Sequence, residues 1–182
     1  MQDRNRVELM FRIEIQKSYW IQGREDDPKD LCLHGDVVVR IGEEECSFQD
    51  ATISGAGLFL LRSLTKDHIV DGIDHMVPCC GHEMFPNEAM DEVDIPGCTR
   101  GIDWSVIHGN GKIKLLTEAG NLIEVGLCDY AKAVLEFTDQ VERAYQVATP
   151  KEPYDEYDMA GYRAFWNEWK RRKEQYKKEN NL

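Results

Sequence analysis

Long hydrophobic runs are absent from this sequence. Of its 182 residues, no window stays apolar over the roughly 20 positions that a membrane-spanning helix requires. The first ten residues, MQDRNRVELM, carry charges where a secretory signal needs an apolar segment. These absences predict a cytoplasmic protein without a membrane-spanning segment, in which cysteine side chains stay reduced.

Positive charge is also scarce. The chain has 22 Lys and Arg residues against 34 Asp and Glu residues, which gives a net charge of -12 at pH 7. Residues 170–182 contain six Lys and Arg residues and two Glu residues, a net charge of +4, so the preceding residues carry -16. Nucleic acids and anionic membranes are bound by Lys and Arg, so we expect neither as a partner. An acidic surface instead steers a basic protein partner towards it.

The common catalytic motifs are missing as well. The chain contains no HExxH, no P-loop, no GxGxxG and no GxSxG, the signatures of zinc proteases, nucleotide-binding proteins and serine hydrolases. Carboxylate-rich runs such as MDEVD and YDEYD are typical of solvated surfaces rather than of acid–base pairs in a cleft. The leading expectation is therefore a non-enzymatic binding protein with an acidic surface.

The residue patterns predict an α+β fold. Alternating and β-branched runs at 7–16 and 31–41 indicate strands, and a short arm at 46–48 pairs back as a hairpin. The pattern over residues 101–127 predicts a three-stranded antiparallel meander, because Asn110-Gly111 and Gly120-Asn121 suit tight hairpin turns. We expect one domain over 1–182, with a mostly antiparallel sheet of the N-terminal strands and the meander, and helices on one face.

Helical periodicity appears in the segments 54–66, 129–145 and 158–178. The N-caps predicted for them are Ser54, Asp129 and Asp158. The last segment is a C-terminal helical arm with an aromatic face composed of Tyr162, Phe165, Trp166 and Trp169. Such a face would be an insoluble patch if exposed, so we expect it to dock, either on its own chain or on a second subunit.

A cluster of cysteine and histidine residues lies in a long connection between predicted elements, residues 67–99. Connections of this length are usually functional or held by something. Zinc prefers four thiolate or imidazole ligands, and this connection supplies them. The predicted zinc ligands are Cys79, Cys80, His82 and Cys98. The alternative is that these side chains are buried thiols and a hydrogen-bonded histidine that bind no metal. Cys32 and His34 form a second close pair of possible ligands.

A small cysteine-dependent enzyme is a third hypothesis. A nucleophilic thiol needs a neighbouring base and a group that orients this base. The candidates are Cys80 as nucleophile, His75, His82 or His108 as base, and Glu83 or Asp103 as the orienting group. By contrast, Cys128 near a predicted helix start is expected to lie in the core.

Four motifs carry a resemblance to a known family: DLCLHG (30–35), PCCGH (78–82), GIDWSVIH (101–108) and GYRAFWNEWKRR (161–172). As a set they resemble a family of small, uncharacterised bacterial proteins, chiefly from Gram-positive species. The resemblance implies a bacterial cytoplasmic protein and no particular activity. In size, acidity and predicted fold class, the chain is also similar to immunity proteins of polymorphic toxin systems, which are binding proteins.

Overall fold

The computed structural model describes residues 10–20, 26–70 and 72–180. Within these residues, three helices and several antiparallel sheets confirm the α+β class. The strands are β1 (Phe11–Tyr19), β2 (His34–Ile41), β3 (Glu44–Thr52), β4 (Val77–Pro78), β5 (Phe85–Pro86), β6 (Val93–Asp94), β7 (Gly101–Ile102), β8 (Trp104–Gly109), β9 (Lys112–Thr117) and β10 (Leu122–Gly126). The helices are α1 (Ile53–Ser63), α2 (Leu127–Val147) and α3 (Glu156–Glu179).

The N-terminal strands form an antiparallel sheet in the order β1-β2-β3. In the central strand, Val37, Val39 and Ile41 are buried at every second position, as expected for a strand with one face on the core. The predicted arm at 46–48 is longer in the structure, since β3 runs from Glu44 to Thr52. Positions 7–9 of the first predicted strand lie outside the described residues.

The predicted meander is confirmed as a second sheet in the order β10-β9-β8. Its first turn has positive φ angles of 47° at Asn110 and 74° at Gly111, the conformation for which an Asn-Gly pair is suited. Trp104 and Val106 are fully buried on its inner face. The two three-stranded sheets are separate, rather than parts of one continuous sheet.

The three predicted N-caps are wrong. Helix α1 begins at Ile53 after Thr52, so Ser54 lies in the first turn, where its side chain is buried. Helix α2 begins directly after β10, with Gly126 as its N-cap instead of Asp129. Helix α3 is capped by Asp155, whose carboxylate accepts a hydrogen bond of 2.9 Å from the backbone N–H of Asp158. In the first two cases the end of the preceding strand determines where the helix begins.

Helix α3 docks on its own chain. Phe165 and Trp169 are fully buried, and Tyr176 is 2% exposed. Helix α1 approaches this aromatic face at Gly57, where a β-carbon would lie 2.4 Å from Cη2 of Trp169. Glycine is therefore required at position 57 for the two helices to be this close. Among the described helices, none is long and apolar enough to cross a lipid bilayer.

Helix α3 also holds part of the long connection 67–99, which we call the Cys/His loop. The Glu168 carboxylate accepts a hydrogen bond of 2.9 Å from the backbone N–H of Val93, in β6. Arg171 and Arg172 both contact the carboxylate of Glu92. We call Glu168, Arg171 and Arg172 the α3 clamp. It fixes one part of the Cys/His loop against the body of the protein.

Candidate metal centre

The short pairing of β4 with β7 places Cys79 next to Cys98. Val77 pairs with Ile102 and Pro78 with Gly101, and the backbone N–H of Cys79 extends the ladder by donating to Arg100 O at 3.2 Å. Cys98 lies two residues before Arg100, so its side chain lies within reach of Cys79.

Two glycines allow the segment around Cys98 to lie this close to its neighbours. A β-carbon at Gly97 would lie 2.3 Å from the carbonyl oxygen of Ile73. A β-carbon at Gly101 would lie 2.4 Å from the carbonyl oxygen of Val77. Real β-carbons do not come this close to a backbone oxygen, so glycine is needed on both sides of Cys98.

The thiols of Cys79, Cys80 and Cys98 converge, and we call them the thiol group. Their sulfur atoms all lie within 4.8 Å of one another. The Cys79 Sγ is 2.7 Å from the Cys98 Sγ and 3.3 Å from the Cys80 Sγ. All three residues are partly exposed. The arrangement is one that could hold a metal ion.

Within the thiol group, the pKa values of Cys79 and Cys98 are shifted in opposite directions. Burial, followed by hydrogen bonds to Cys98 and Cys80, raises the pKa of Cys79 to about 12. The hydrogen bond from Cys79 is the largest influence that lowers the pKa of Cys98. Of these two thiols, Cys98 is the one that its surroundings make easier to deprotonate.

The fourth predicted ligand, His82, lies in a different group. Its ring forms a cluster with Asp30 and Cys32, whose ligand atoms all lie within 4.8 Å of one another; we call these three residues the Asp30 group. The buried Cys32 thiol donates to the carbonyl oxygen of Gly81 at 3.1 Å, which brings the Gly81-His82 segment to Cys32. The structure thus brings three of the four predicted ligands together and places the fourth beside Asp30.

Asp30 is the candidate ligand that sequence reasoning missed, whereas Cys32 and His34 were recognised as a pair. The available signal was spacing: Asp30, Cys32 and His34 stand at every second position, which places side chains on the same side of an extended chain. The carboxylate of Asp30 lies 3.1 Å from Nε2 of His34. His34 in turn stacks on His82, with ring centroids 4.9 Å apart.

The surroundings of His82 favour the neutral form of its imidazole. Although much of this residue is exposed, partial burial of its ring and the neighbouring His34 lower its pKa. A neutral imidazole has a lone pair available for a metal ion. Asp30 opposes this shift but does not reverse it.

The remaining cysteines lie apart from both groups. Cys46 is partly exposed, and burial is the main cause that raises its pKa. Cys128 is exposed, so the expectation that it lies in the core is wrong. It occupies the first turn of α2. Cys46 and Cys128 are therefore suitable control positions.

Two of the histidines proposed as bases, His75 and His108, are engaged elsewhere. Nδ1 of His75 lies 2.9 Å from the carbonyl oxygen of Cys98, not from its sulfur. Asp103 contacts Nε2 of His68 at 2.7 Å, and His108 contacts Asp67 at 2.8 Å. Within the described residues, no imidazole nitrogen makes a hydrogen bond to a cysteine sulfur. The structure therefore shows no hydrogen-bonded Cys–His pair among the described residues that would support the nucleophile hypothesis.

Gly81 connects the two groups by passing close to α1. A β-carbon at this position would lie 2.7 Å from Cγ2 of Thr52, the residue that precedes α1. The hydroxyl of Thr52 donates to the carbonyl oxygen of Cys79 at 3.1 Å. The segment 79–82 thus rests on Thr52 through both a hydrogen bond and a close contact.

Replacing Gly81 with alanine is expected to destabilise the protein by about 1–3 kcal/mol, because the added methyl group overpacks the contact with Thr52. The measurement is the free energy of unfolding in urea. Gly109→Ala is the control, since nothing lies within 4 Å of the β-carbon it would add. Equal effects of the two substitutions would show that the approach of Gly81 to Thr52 does not stabilise the fold.

Comparison of this chain with protein-family models, with curated proteins and with solved structures finds no match.

Proposed function

We propose that the protein is a zinc-stabilised binding domain in which the thiol group holds the metal. The observation that carries this proposal is the convergence of three thiols within 4.8 Å in a loop with little regular structure. Three thiolates are a donor set that zinc accepts in proteins, and the fourth tetrahedral position is left to water. The role of the ion is to hold the Cys/His loop.

The distances are compatible with a zinc ion after a small adjustment. Zinc–sulfur bonds of about 2.3 Å place the sulfurs of a tetrahedral site about 3.8 Å apart. The sulfur separations of 2.7 Å from Cys79 to Cys98 and 3.3 Å from Cys79 to Cys80 are shorter, so the ion would spread the thiols by about 0.5–1 Å. All three side chains are partly exposed, which leaves them room to move and leaves an entry path for the ion.

Zinc binding here is coupled to folding. The β4, β5 and β6 strands of the Cys/His loop contain two residues each, so backbone pairing holds it at few points. An ion that joins Cys79 and Cys80 to Cys98 closes the loop between them. Since such a site does not exist in the unfolded chain, its binding free energy adds to the stability of the folded state.

Zinc content per chain tests this proposal. The protein is purified without a tag and without chelator, and zinc is measured by elemental analysis in the wild type and in a Cys79→Ser, Cys80→Ser, Cys98→Ser variant. We expect the variant to lose one equivalent of zinc. A Cys46→Ser, Cys128→Ser variant is the matched control and should keep the wild-type content. The proposal fails if all three proteins contain the same amount.

The binding function of such a domain is proposed from its charge. A groove of about 1070 Å³ lies between the β2–β3 turn and the start of β10. It is lined by Glu43 and Glu44, by Glu45 in an ion pair with Arg40, and by Leu122, whose exposure is 59%. Acidic groups beside an exposed apolar side chain suit a basic protein partner, as in an immunity-like protein that covers a basic partner.

Binding of an arginine-rich peptide tests this second function. A variant in which Glu43, Glu44 and Glu45 are replaced with glutamine is expected to bind the peptide about tenfold more weakly at low salt, because up to about 1 kcal/mol is lost per exposed ion pair. The control variant loses the same charge elsewhere, at the exposed Glu136, Glu156 and Glu174. Equal weakening in both variants would mean that net charge alone attracts the peptide and the groove is not a site.

A further inference from the structure

We propose that the Asp30 group is a second metal site, independent of the thiol group, which binds a divalent ion of the zinc class through one carboxylate, one thiolate and one imidazole. This site goes beyond the proposed function, because its ligands are not those of the thiol group and different residues hold them in position. Two observations carry it: the convergence of the ligand atoms and the way they are held in position.

The ligand atoms of Asp30, Cys32 and His82 already lie within 4.8 Å of one another. Zinc bonds of about 2.0 Å to nitrogen or oxygen and 2.3 Å to sulfur require ligand separations of about 3.3–3.8 Å. Asp30 and Cys32 are buried, whereas His82 is exposed. The exposed ligand lies on the side from which an ion can enter, and a small closing movement of His82 completes the set.

The two buried ligands are fixed from several sides. The Asp30 carboxylate accepts a hydrogen bond of 3.0 Å from the backbone N–H of Cys32 and lies 3.1 Å from Nε2 of His34. The chain beside them is held by the hydroxyl of Tyr145 in α2. This hydroxyl accepts from Leu33 N at 3.1 Å and donates to Leu31 O at 2.8 Å.

His34 is a positioning residue for this site. Its Nε2 holds the Asp30 carboxylate, and its ring lies against that of His82 at 4.9 Å with an interplanar angle of 30°. On its other side His34 stacks on Tyr19, with ring centroids 6.4 Å apart. Outer groups of this kind orient metal ligands, and they are a regular part of protein metal sites.

The charge of the set suits a partly buried divalent ion. The carboxylate of Asp30 and the thiolate of Cys32 carry two negative charges, and the imidazole of His82 carries none. A divalent ion therefore makes a neutral centre, which avoids the cost of burying net charge. On binding, the Cys32 thiol loses its proton to solvent and gives up its hydrogen bond to Gly81 O, and the Cys32 sulfur bonds the ion instead.

The donor set differs from that of the thiol group. Three thiolates around a divalent ion leave a charge of -1, which suits the partly exposed position of those cysteines. A mixed oxygen, sulfur and nitrogen set is within the range that zinc accepts. Three protein ligands leave one coordination position, which water or a small ligand fills.

The experiment is zinc stoichiometry in four forms of the full chain, saturated with zinc and freed of excess ion. These are the wild type, the triple-serine variant of the thiol group, His82→Ala and His108→Ala. The expected values are two equivalents for the wild type, one for the triple-serine variant, one for His82→Ala and two for His108→Ala. His108 is the control, because it hydrogen-bonds Asp67 and belongs to neither group.

The outcomes separate this inference from the proposed function. If the wild type and the triple-serine variant each hold one equivalent and His82→Ala holds none, the second site stands and the thiol site fails. If His82→Ala keeps the wild-type content, the second site is overturned. Loss of all zinc in both the triple-serine and His82→Ala variants would reveal one shared site and also overturn it. Should the triple-serine chain not fold, the Cys80→Ser, Cys98→Ser variant takes its place.

Discussion

Replacing Glu168 with glutamine is expected to lower the free energy of unfolding by about 3–5 kcal/mol, because it removes the buried counter-charge that Arg62 and Arg172 share and leaves Arg172 with only Glu92. The Glu168 side chain is completely buried. It accepts two hydrogen bonds from Arg62, at 2.9 and 2.8 Å, one from Arg172 at 2.6 Å and one from the Val93 amide at 2.9 Å. A glutamine keeps the volume but not the charge, and it can accept at only one of its two terminal atoms.

Urea unfolding of Glu168→Gln, followed by circular dichroism, measures this effect. Glu174→Gln is the matched control in the same helix, since Glu174 is exposed. We expect the control to stay within about 0.5 kcal/mol of the wild type, as surface substitutions usually do. A loss of the same size in both variants would refute the central role of the Glu168 carboxylate.

The same carboxylate gives the protein a dependence on pH. Burial alone would raise the pKa of Glu168, but hydrogen bonds and the charge of Arg62, with a hydrogen bond from Arg172, outweigh burial and lower it. A lowered pKa in the folded state contributes stability above the unfolded-state pKa, about 4.3. This contribution disappears as the pH falls from there through the folded-state pKa. Glu168→Gln lacks it, so its stability should fall less steeply in acid.

Replacing Cys98 with serine is expected to remove about 4 kcal/mol of stability when free zinc exceeds the dissociation constant of the site about a thousandfold. The reason is that the ion binds the folded state and not the unfolded one. Cys98 is the member of the thiol group whose pKa is lowered, so the substitution also removes the thiol that ionises more readily than usual. The measurement is thermal or urea unfolding at fixed free zinc.

Cys128→Ser is the control for this second prediction, because Cys128 is an exposed cysteine outside both groups. A chelator supplies a second comparison. It should lower the stability of the wild type towards that of Cys98→Ser and change the stability of Cys98→Ser less. If Cys98→Ser and Cys128→Ser are equally stable with zinc present, the thiol group contributes packing and does not bind zinc.

Local patterns predicted the meander well, because its turns depend on neighbouring residues. Asn110 and Gly111 adopt the positive φ angles that a short hairpin needs, and this preference is a property of the residues themselves. The N-caps were predicted badly for the opposite reason. Thr52 and Gly126 precede their helices because a strand ends there, and the hydroxyl of Thr52 is used by Cys79 rather than by the helix.

The candidate site was predictable in its residue types but not in its partition into two groups. Residue identity alone puts Cys79, Cys80, His82 and Cys98 forward as zinc ligands. Their separation depends on a contact between Cys32 and Gly81, which are 49 positions apart, and no local pattern indicates it. The carboxylate of Asp30 enters the site through the same long-range contact, which explains why it was missed.

The α3 clamp has a consequence for biosynthesis. Glu168 holds Val93 from 75 positions further along the chain, and Arg172 holds Glu92 from 80. At about 5–20 residues per second, a ribosome needs about 4–15 seconds to make the intervening chain. For that interval the cysteines of the Cys/His loop have been synthesised and the helix that fixes the loop has not. Metal ions in the surroundings of the nascent chain can therefore reach these thiols before the clamp fixes Glu92 and Val93 against the helix.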